Sequence, residues 1–446
     1  MMNEFDILEK QLDNFSEDDR KTAFLALMER LRAGHIAPPL HPFRMNLHYH
    51  SFFSFNALGY SPLHIVWRAK KEGLGMAGGV DFDVLDAVEE LFWGALEAEL
   101  PVVAGMETRI FLPEFRTEEL SSPREPGVAY YMGNGFTRLP QAGTEAFRTL
   151  AILRETAQAR NRKVIDRINV VGPVMLDFDR DVVPLTPAGN VTERHIIQAL
   201  IFRVESVFPN SDDRIAYWSG KLAISHKAIE QAFNNQPDLA DLVRMKLLKH
   251  GGMAYIEAGE GDFPRIETVN ALIEEMGAIP SFSWLDGTSN GEKDPNKLLE
   301  FCQDHGVESF FMVPDRNWNV PDEEERRQKV ANFHRMVGVA RDHHMPVFVG
   351  TEMNKNGQKF VDDLDSPYLC SLSPHFFESA WVLWGHSVLE LSSRRGYGSD
   401  WARRHFRSRS EKNRFYSEIG KGTPASRESI NRLGQLTSAQ VLMRGR

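Results

Sequence analysis

The sequence predicts an α/β fold, a TIM-like barrel, and three observations predict it. From residue 45 onward, short apolar strands alternate with amphipathic helices. Such alternation gives parallel strands joined by helical crossovers. Polar residues gather where each strand ends, the end at which barrels of this kind carry their chemistry. The alternation breaks at about residue 112 and returns near residue 253, and the stretch between is too long for a loop and helical in pattern, as an inserted lobe would be.

In chain order, residues 17–33 read as an amphipathic helix that precedes the barrel. Ser16 is a good N-cap, Glu17, Asp18 and Asp19 suit the positive end of the dipole, and Gly34 can take the left-handed stop. The first strand ends at His48 and His50. Ser61 caps the next helix, with Pro62 at its first position and Gly73 at its stop. The second strand ends at Asp81, a helix spans Leu85 to Leu100, and the third strand carries Glu107. Helical patterns run through 144–166, 192–206 and 226–248. Later strands are expected in MAYIEAG, AIPSFSWLDG, ESFFMVPDR and PVFVGTEMN, separated by helices near 266–276, 295–305 and 323–343. The expected organisation is an N-terminal helical extension (1–42), a first barrel part (43–111), an inserted, mostly helical lobe (112–250), a second barrel part (251–360) and a basic helical C-terminal extension (361–446).

Composition excludes several classes. With 42% hydrophobic and 26% charged residues the chain can build a large core and is not a disordered protein. No apolar run could cross a bilayer, and the acidic N-terminus lacks the apolar stretch of a secretory signal. Two cysteines, Cys302 and Cys370, exclude a disulfide scaffold and a cysteine-based zinc site, so a cytoplasmic location is expected. A net charge of −10 argues against nucleic acid as a partner. The charge is uneven, however: from Arg394 to Arg446 there are 13 basic and 4 acidic side chains, a balance of +9 that leaves −19 for the rest. That tail reads as solvated helices, with an anionic partner or docking on the chain's own acidic body as the sharper alternative.

His48-Tyr49-His50 is the strongest local signal for chemistry. Residues two apart on a strand point the same way, so two imidazoles at a strand end can grip one divalent ion. Many such strands are purely structural, but here Asp81, Glu107 and Glu352 end neighbouring strands. Two histidines with carboxylates suit Zn²⁺, Mn²⁺ or Fe²⁺ better than Mg²⁺. Asp81 could instead cap a helix. Glu107 has no such bland account, because a carboxylate inside an apolar strand is costly without a cation. Asp286, Asp315 and Arg316 also lie at strand ends, and Arg109 shares the face of Glu107, where it could clamp a phosphate or pair with a neighbouring acid. Trp284, Trp318 and Tyr131 could wall a pocket or simply fill the core. His195 could reach the site from the lobe or pack within its helix. His386 has no partner that the sequence names.

These segments, in this order, resemble the PHP (polymerase and histidinol phosphatase) domain family. NLHYHS resembles the first motif with its two metal-binding histidines, SPLHIVWRAKKEGLGMAGGVDFDVLDAVEE the approach to the second, AGMETRI the third, and GTEMN the last Asp-x-His motif. VTERHIIQAL resembles a segment of the inserted lobe of many PHP phosphoesterases. The likeness covers about 43–111, 190–200 and 346–354. It implies a (β/α)7 PHP barrel. It also implies losses: the second-motif histidine is Phe82, the tyrosines Tyr130 and Tyr131 and Trp284 stand where later histidines belong, and the last motif offers Glu352 and Asn354. The ligands of one metal match His48, His50, Glu107 and Glu352, whereas the other two metals rely on the lost histidines.

The expectation is therefore a metal-dependent hydrolase, a phosphoesterase with one divalent ion and a small phosphorylated substrate. Asp81 or Asp286 would serve as base or supporting acceptor, Arg109 or Arg316 would offset phosphate charge, and Arg316, His195 and Trp284 would contact substrate. The alternatives are a single-metal enzyme of other chemistry, such as a lyase or an amide hydrolase, and a non-catalytic barrel that binds a ligand or a protein.

Overall fold

The computed structural model describes residues 4–40, 43–170, 173–257, 259 and 261–445. Seven strands form one sheet: β1 (Met45–Tyr49), β2 (Met76–Phe82), β3 (Val102–Phe111), β4 (Val128–Asn134), β5 (Ile279–Trp284), β6 (Ser309–Met312) and β7 (Val347–Val349). They lie side by side in chain order. The sheet curls into a nearly closed barrel surrounded by helices. Just past β7 an isolated parallel bridge joins Glu352 to Tyr49, with the His50 N–H donating to the Glu352 carbonyl (2.8 Å) and the Glu352 N–H donating to the His48 carbonyl (2.8 Å).

The pairings are parallel except at β4, which runs antiparallel to both β3 and β5. This differs from the sequence expectation in two ways. Val128–Asn134, assigned above to the inserted lobe, is a strand of the barrel. MAYIEAG supplies none: its described residues are turn and coil, and Ala254 is buried in a helical core instead. Ala258 lies outside the described residues. Both segments are short and apolar, and hydrophobic pattern alone could not choose between them.

Local signals set most helix boundaries. The Ser16 hydroxyl accepts the Asp19 N–H at the start of helix Glu17–Arg32, and Gly34 beyond its end has φ 79°. The Ser61 hydroxyl accepts the His64 N–H (3.1 Å) at the start of helix Pro62–Lys71. Helix Glu17–Arg32 is tied to helix Val88–Ala98 by a buried two-pronged ion pair, Arg20 Nε to Glu90 Oε1 (2.7 Å) and Arg20 Nη2 to Glu90 Oε2 (2.5 Å).

The chain divides into two compact units. The first comprises 1–52, 56–150 and 264–446, and so holds the barrel, the N-terminal helices and the whole basic C-terminal segment. In that segment helix Ser373–Ser393 crosses helix Arg409–Lys421 where Gly385 faces Gly420; a Cβ on either glycine would strike the other helix's backbone. His386 finds two partners there, donating from Nε2 to the Gly135 carbonyl (2.9 Å) and accepting the Tyr397 N–H at Nδ1 (2.8 Å). The second unit, 53–55 with 151–263, is helical around its own core, which includes Ile196, Leu200, Trp218, Ile229 and Val243. The pattern over 226–248 forms two helices, His226–Phe233 and Gln236–Leu247. Among the described residues no helix is long and apolar enough to cross a membrane.

Candidate metal centre

Strand alternation builds the site. On β1, His48 and His50 fall on the inner face, while Tyr49 turns outward to stack on Phe360 (4.5 Å between centroids). On β3 the same alternation turns Glu107 inward. The His48 and His50 Nε2 atoms lie 3.2 Å apart, at 3.6 and 3.4 Å respectively from Glu107 Oε2. Gly350 permits this closeness at the end of β7, because a Cβ there would strike His48 and Asn46.

All three side chains are buried, with Glu107 only 4% exposed. Among the described residues, Glu107 Oε2 and His48 Nδ1 find no hydrogen-bond partner. Burial alone would raise the Glu107 carboxyl, but the two imidazoles beside it outweigh burial and hold it down at about 2. A buried, ionised carboxylate oxygen without a hydrogen bond, facing two imidazole nitrogens, is the donor set of a divalent cation site. Among the described residues, His48, His50 and Glu107 form the group whose ligand atoms, within 4.8 Å of one another, could hold a metal ion. Two imidazole nitrogens and one carboxylate fit Zn²⁺, Mn²⁺ or Fe²⁺.

Glu352, expected as the fourth ligand, lines the same cavity but stands outside this group. Its Oε2 accepts Arg316 Nη2 at 2.5 Å and Gln358 Nε2 at 3.3 Å. The backbone turns here: Glu352 and Met353 have φ of 72° and 57°, a left-handed conformation that non-glycine residues seldom adopt. Arg316 comes from the short helical turn after β6, with its side chain 42% exposed.

The cavity has a volume of about 70 Å³ and opens beside Glu107 and His48. Phe82 and Trp284 both line it, and Phe82 stacks on His50 at 4.6 Å. Tyr130, not Tyr131, faces it; Tyr131 turns outward and donates to Asn270 Oδ1 (2.5 Å).

The expected catalytic carboxylates, Asp81 and Asp286, are not among the residues that line the cavity. On β2 either Asp81 or Phe82 can face inward, and Phe82 does. Asp81 holds the chain beyond β1 instead, accepting the Ser51 N–H (2.8 Å) and hydroxyl (2.6 Å). Asp286 accepts the Thr288 hydroxyl at Oδ1 (2.5 Å) and pairs with Lys329 at Oδ2 (3.2 Å). Arg109 pairs with Glu125 at 3.0 Å, the neighbouring-acid arrangement. His195 sits in the helical unit, where its Nδ1 accepts the Thr192 N–H (3.1 Å) in a capping box and its ring meets the edge of Phe55. Burial pushes its imidazole down to about 3, so it is neutral.

Three contributors escaped the sequence. Gln358 and Ser51 are ordinary polar residues in loops. Glu292 is 1% exposed and accepts the N–H groups of Leu285, Asp286 and Gly287, fixing the turn after β5. Burial pushes its carboxyl up to about 7 despite those three donors. No spacing rule marks an acid that binds a turn five to seven residues away.

No family model matches the chain, and no curated protein matches it. A candidate metal-dependent phosphoesterase from Bifidobacterium adolescentis is similar in structure at 16% identity and a TM-score of 0.46, over 76% of this chain and 98% of that one. An amidohydrolase from Chromobacterium violaceum, with bound sulfate and no metal, is similar at 16% identity and a TM-score of 0.48, over 74% of this chain and 96% of that one. Likenesses that distant carry no statement about chemistry.

Proposed function

We propose that this chain is a metal-dependent hydrolase of the PHP type that cleaves a small phosphate ester using one divalent ion. The observation that carries the reading is the buried His48, His50 and Glu107 cluster, whose carboxylate oxygen Oε2 has no hydrogen-bond partner among the described residues. Those three residues would hold the ion, leaving positions open as catalytic sites do. When bound, such an ion polarises a phosphoryl oxygen and lowers the pKa of a water molecule.

The chain's own residues divide the remaining work. Arg316 presents a guanidinium at the cavity, where it can offset phosphate charge. Glu352 orients that guanidinium through Oε2 and is the cavity carboxylate outside the metal-binding group, so it is the one left to accept a proton. Asp81 and Asp286 are spent on Ser51, Thr288 and Lys329 and are not assigned the role of base. Phe82 and Trp284 wall the cavity with apolar surface and limit the access of bulk water.

The test is to strip the full chain with chelator, reload it with Zn²⁺, Mn²⁺ or Fe²⁺, and assay phosphate mono- and diesters. Activity should appear on reloading and be lost in His48→Ala. A protein that binds the ion yet hydrolyses no phosphoester sinks the phosphoesterase reading; turnover of amide substrates in that case points to the single-metal alternative.

A further inference from the structure

We propose that Arg316 is an internal cation that withholds Glu352 from the metal, keeping the centre at three protein ligands. The inference rests on the reading that His48, His50 and Glu107 hold a divalent ion.

Glu352 has what a fourth ligand needs. It follows β7 directly, its backbone bonds both to His48 and to His50, and its side chain lines the cavity beside His48 and Glu107. Only 7% of that side chain is exposed. A carboxylate so placed would ordinarily complete a tetrahedral site, which is the closed arrangement of structural metals. Here one oxygen is already engaged by Arg316 at 2.5 Å and steadied by Gln358 at 3.3 Å. The left-handed backbone at Glu352 and Met353 is strained for non-glycine residues and persists only where its surroundings impose it. Arg316 also places positive charge in the cavity that His48 and Glu107 line. The arrangement is therefore specific in number: one divalent ion, open coordination positions, and a guanidinium beside them.

The test measures metal binding rather than turnover. Chelator-stripped full chain is titrated with ZnCl₂, and separately with CoCl₂ to record the visible spectrum of the bound ion. The set comprises wild type, Arg316→Ala, Arg316→Gln, Glu352→Gln and the double variant Arg316→Ala with Glu352→Gln. In wild type the expected ratio is one ion per chain. Both Arg316 variants should bind Zn²⁺ about tenfold more tightly or better, the scale on which partners outside the ligand set alter affinity. Their Co²⁺ spectrum should also change, as a further carboxylate joins the ion. Simple loss of nearby positive charge also tightens binding, so the double variant decides. If Glu352 is the captured ligand, the spectral change disappears in the double variant and the effects of the two substitutions are not additive. Additive effects with an unchanged Co²⁺ spectrum overturn the inference while leaving the three-residue centre intact. Failure of the wild-type chain to bind either ion overturns both. Two unlike replacements guard against one variant failing to fold.

Discussion

Glu107→Gln keeps the shape of its side chain and removes its charge. The ionised carboxylate is the centre's only negative ligand among the three, so Zn²⁺ affinity should fall by about tenfold or more. The metal-free variant should melt at a lower temperature than the metal-free wild type, because the two imidazoles that hold the Glu107 carboxyl down at about 2 stabilise its ionised form, and that contribution is present at every pH above the ordinary 4.5. Calorimetric titration and melting curves check the two halves. A variant that binds Zn²⁺ as wild type does would remove Glu107 from the centre. The histidine pair was legible because its spacing matches the period of a strand and any strand would bring both rings to one face. Asp81 was not, because a period of two leaves open which of two neighbours points inward, and only the packing of Phe82 on His50 decides it. Likewise the last motif located Glu352, but its capture by Arg316, 36 residues earlier, has no sequence signature.

Helix caps and strand ends were legible at the level of elements, because Ser16, Ser61 and their stops act locally. The reversed β4 was not, since strand direction is settled by partners remote in sequence. Two helical glycines, one in a barrel helix and one at the crossing of the C-terminal helices, should respond oppositely to a methyl group. Gly338, inside helix Glu323–Asp342, has open space where a Cβ would stand, so Gly338→Ala should stabilise by about 1 kcal/mol through helix propensity. Gly385 faces backbone of the crossing helix, so Gly385→Ala should cost about 1–3 kcal/mol by overpacking, against the same propensity gain. Denaturant midpoints should move in opposite directions; equal shifts would refute the close crossing. The turn after β5 offers a third test. Glu292 has its carboxyl raised to about 7 in the folded state, from an ordinary value of 4.5. Its contribution is therefore fully present below pH 4.5 and is lost as pH rises to about 7. In Glu292→Gln that dependence disappears. The stability difference between variant and wild type should shift in the variant's favour by on the order of 3 kcal/mol from pH 4.5 to 8. Parallel curves across that range would show that Glu292 does not titrate there.

For the whole molecule, the barrel was legible because alternation of strands and helices survives the long break in the middle. The division into units was harder to read: contacts assign 53–55 to the helical unit and the C-terminal segment to the barrel's unit. Pattern within a segment does not report which body it packs into. The nearly closed sheet has a seam where its last strand meets its first. The two backbone amides that bridge its last strand to its first belong to His50 and Glu352, one in the candidate metal centre and the other the residue proposed to be held off it. The seam of the barrel and the candidate centre thus share residues: the seam's bonds engage the backbone of His48 and His50, whose imidazoles belong to the centre. Breathing of that seam must open the pocket, and an ion held by His48 and His50 must slow the breathing. Hydrogen–deuterium exchange should report it: saturating Zn²⁺ should protect the amides of His50 and Glu352 by at least about tenfold, while amides in the helical core around Trp218 and Val243 keep their rates. Uniform protection across the chain, or none at the seam, would separate the centre from the closure of the barrel.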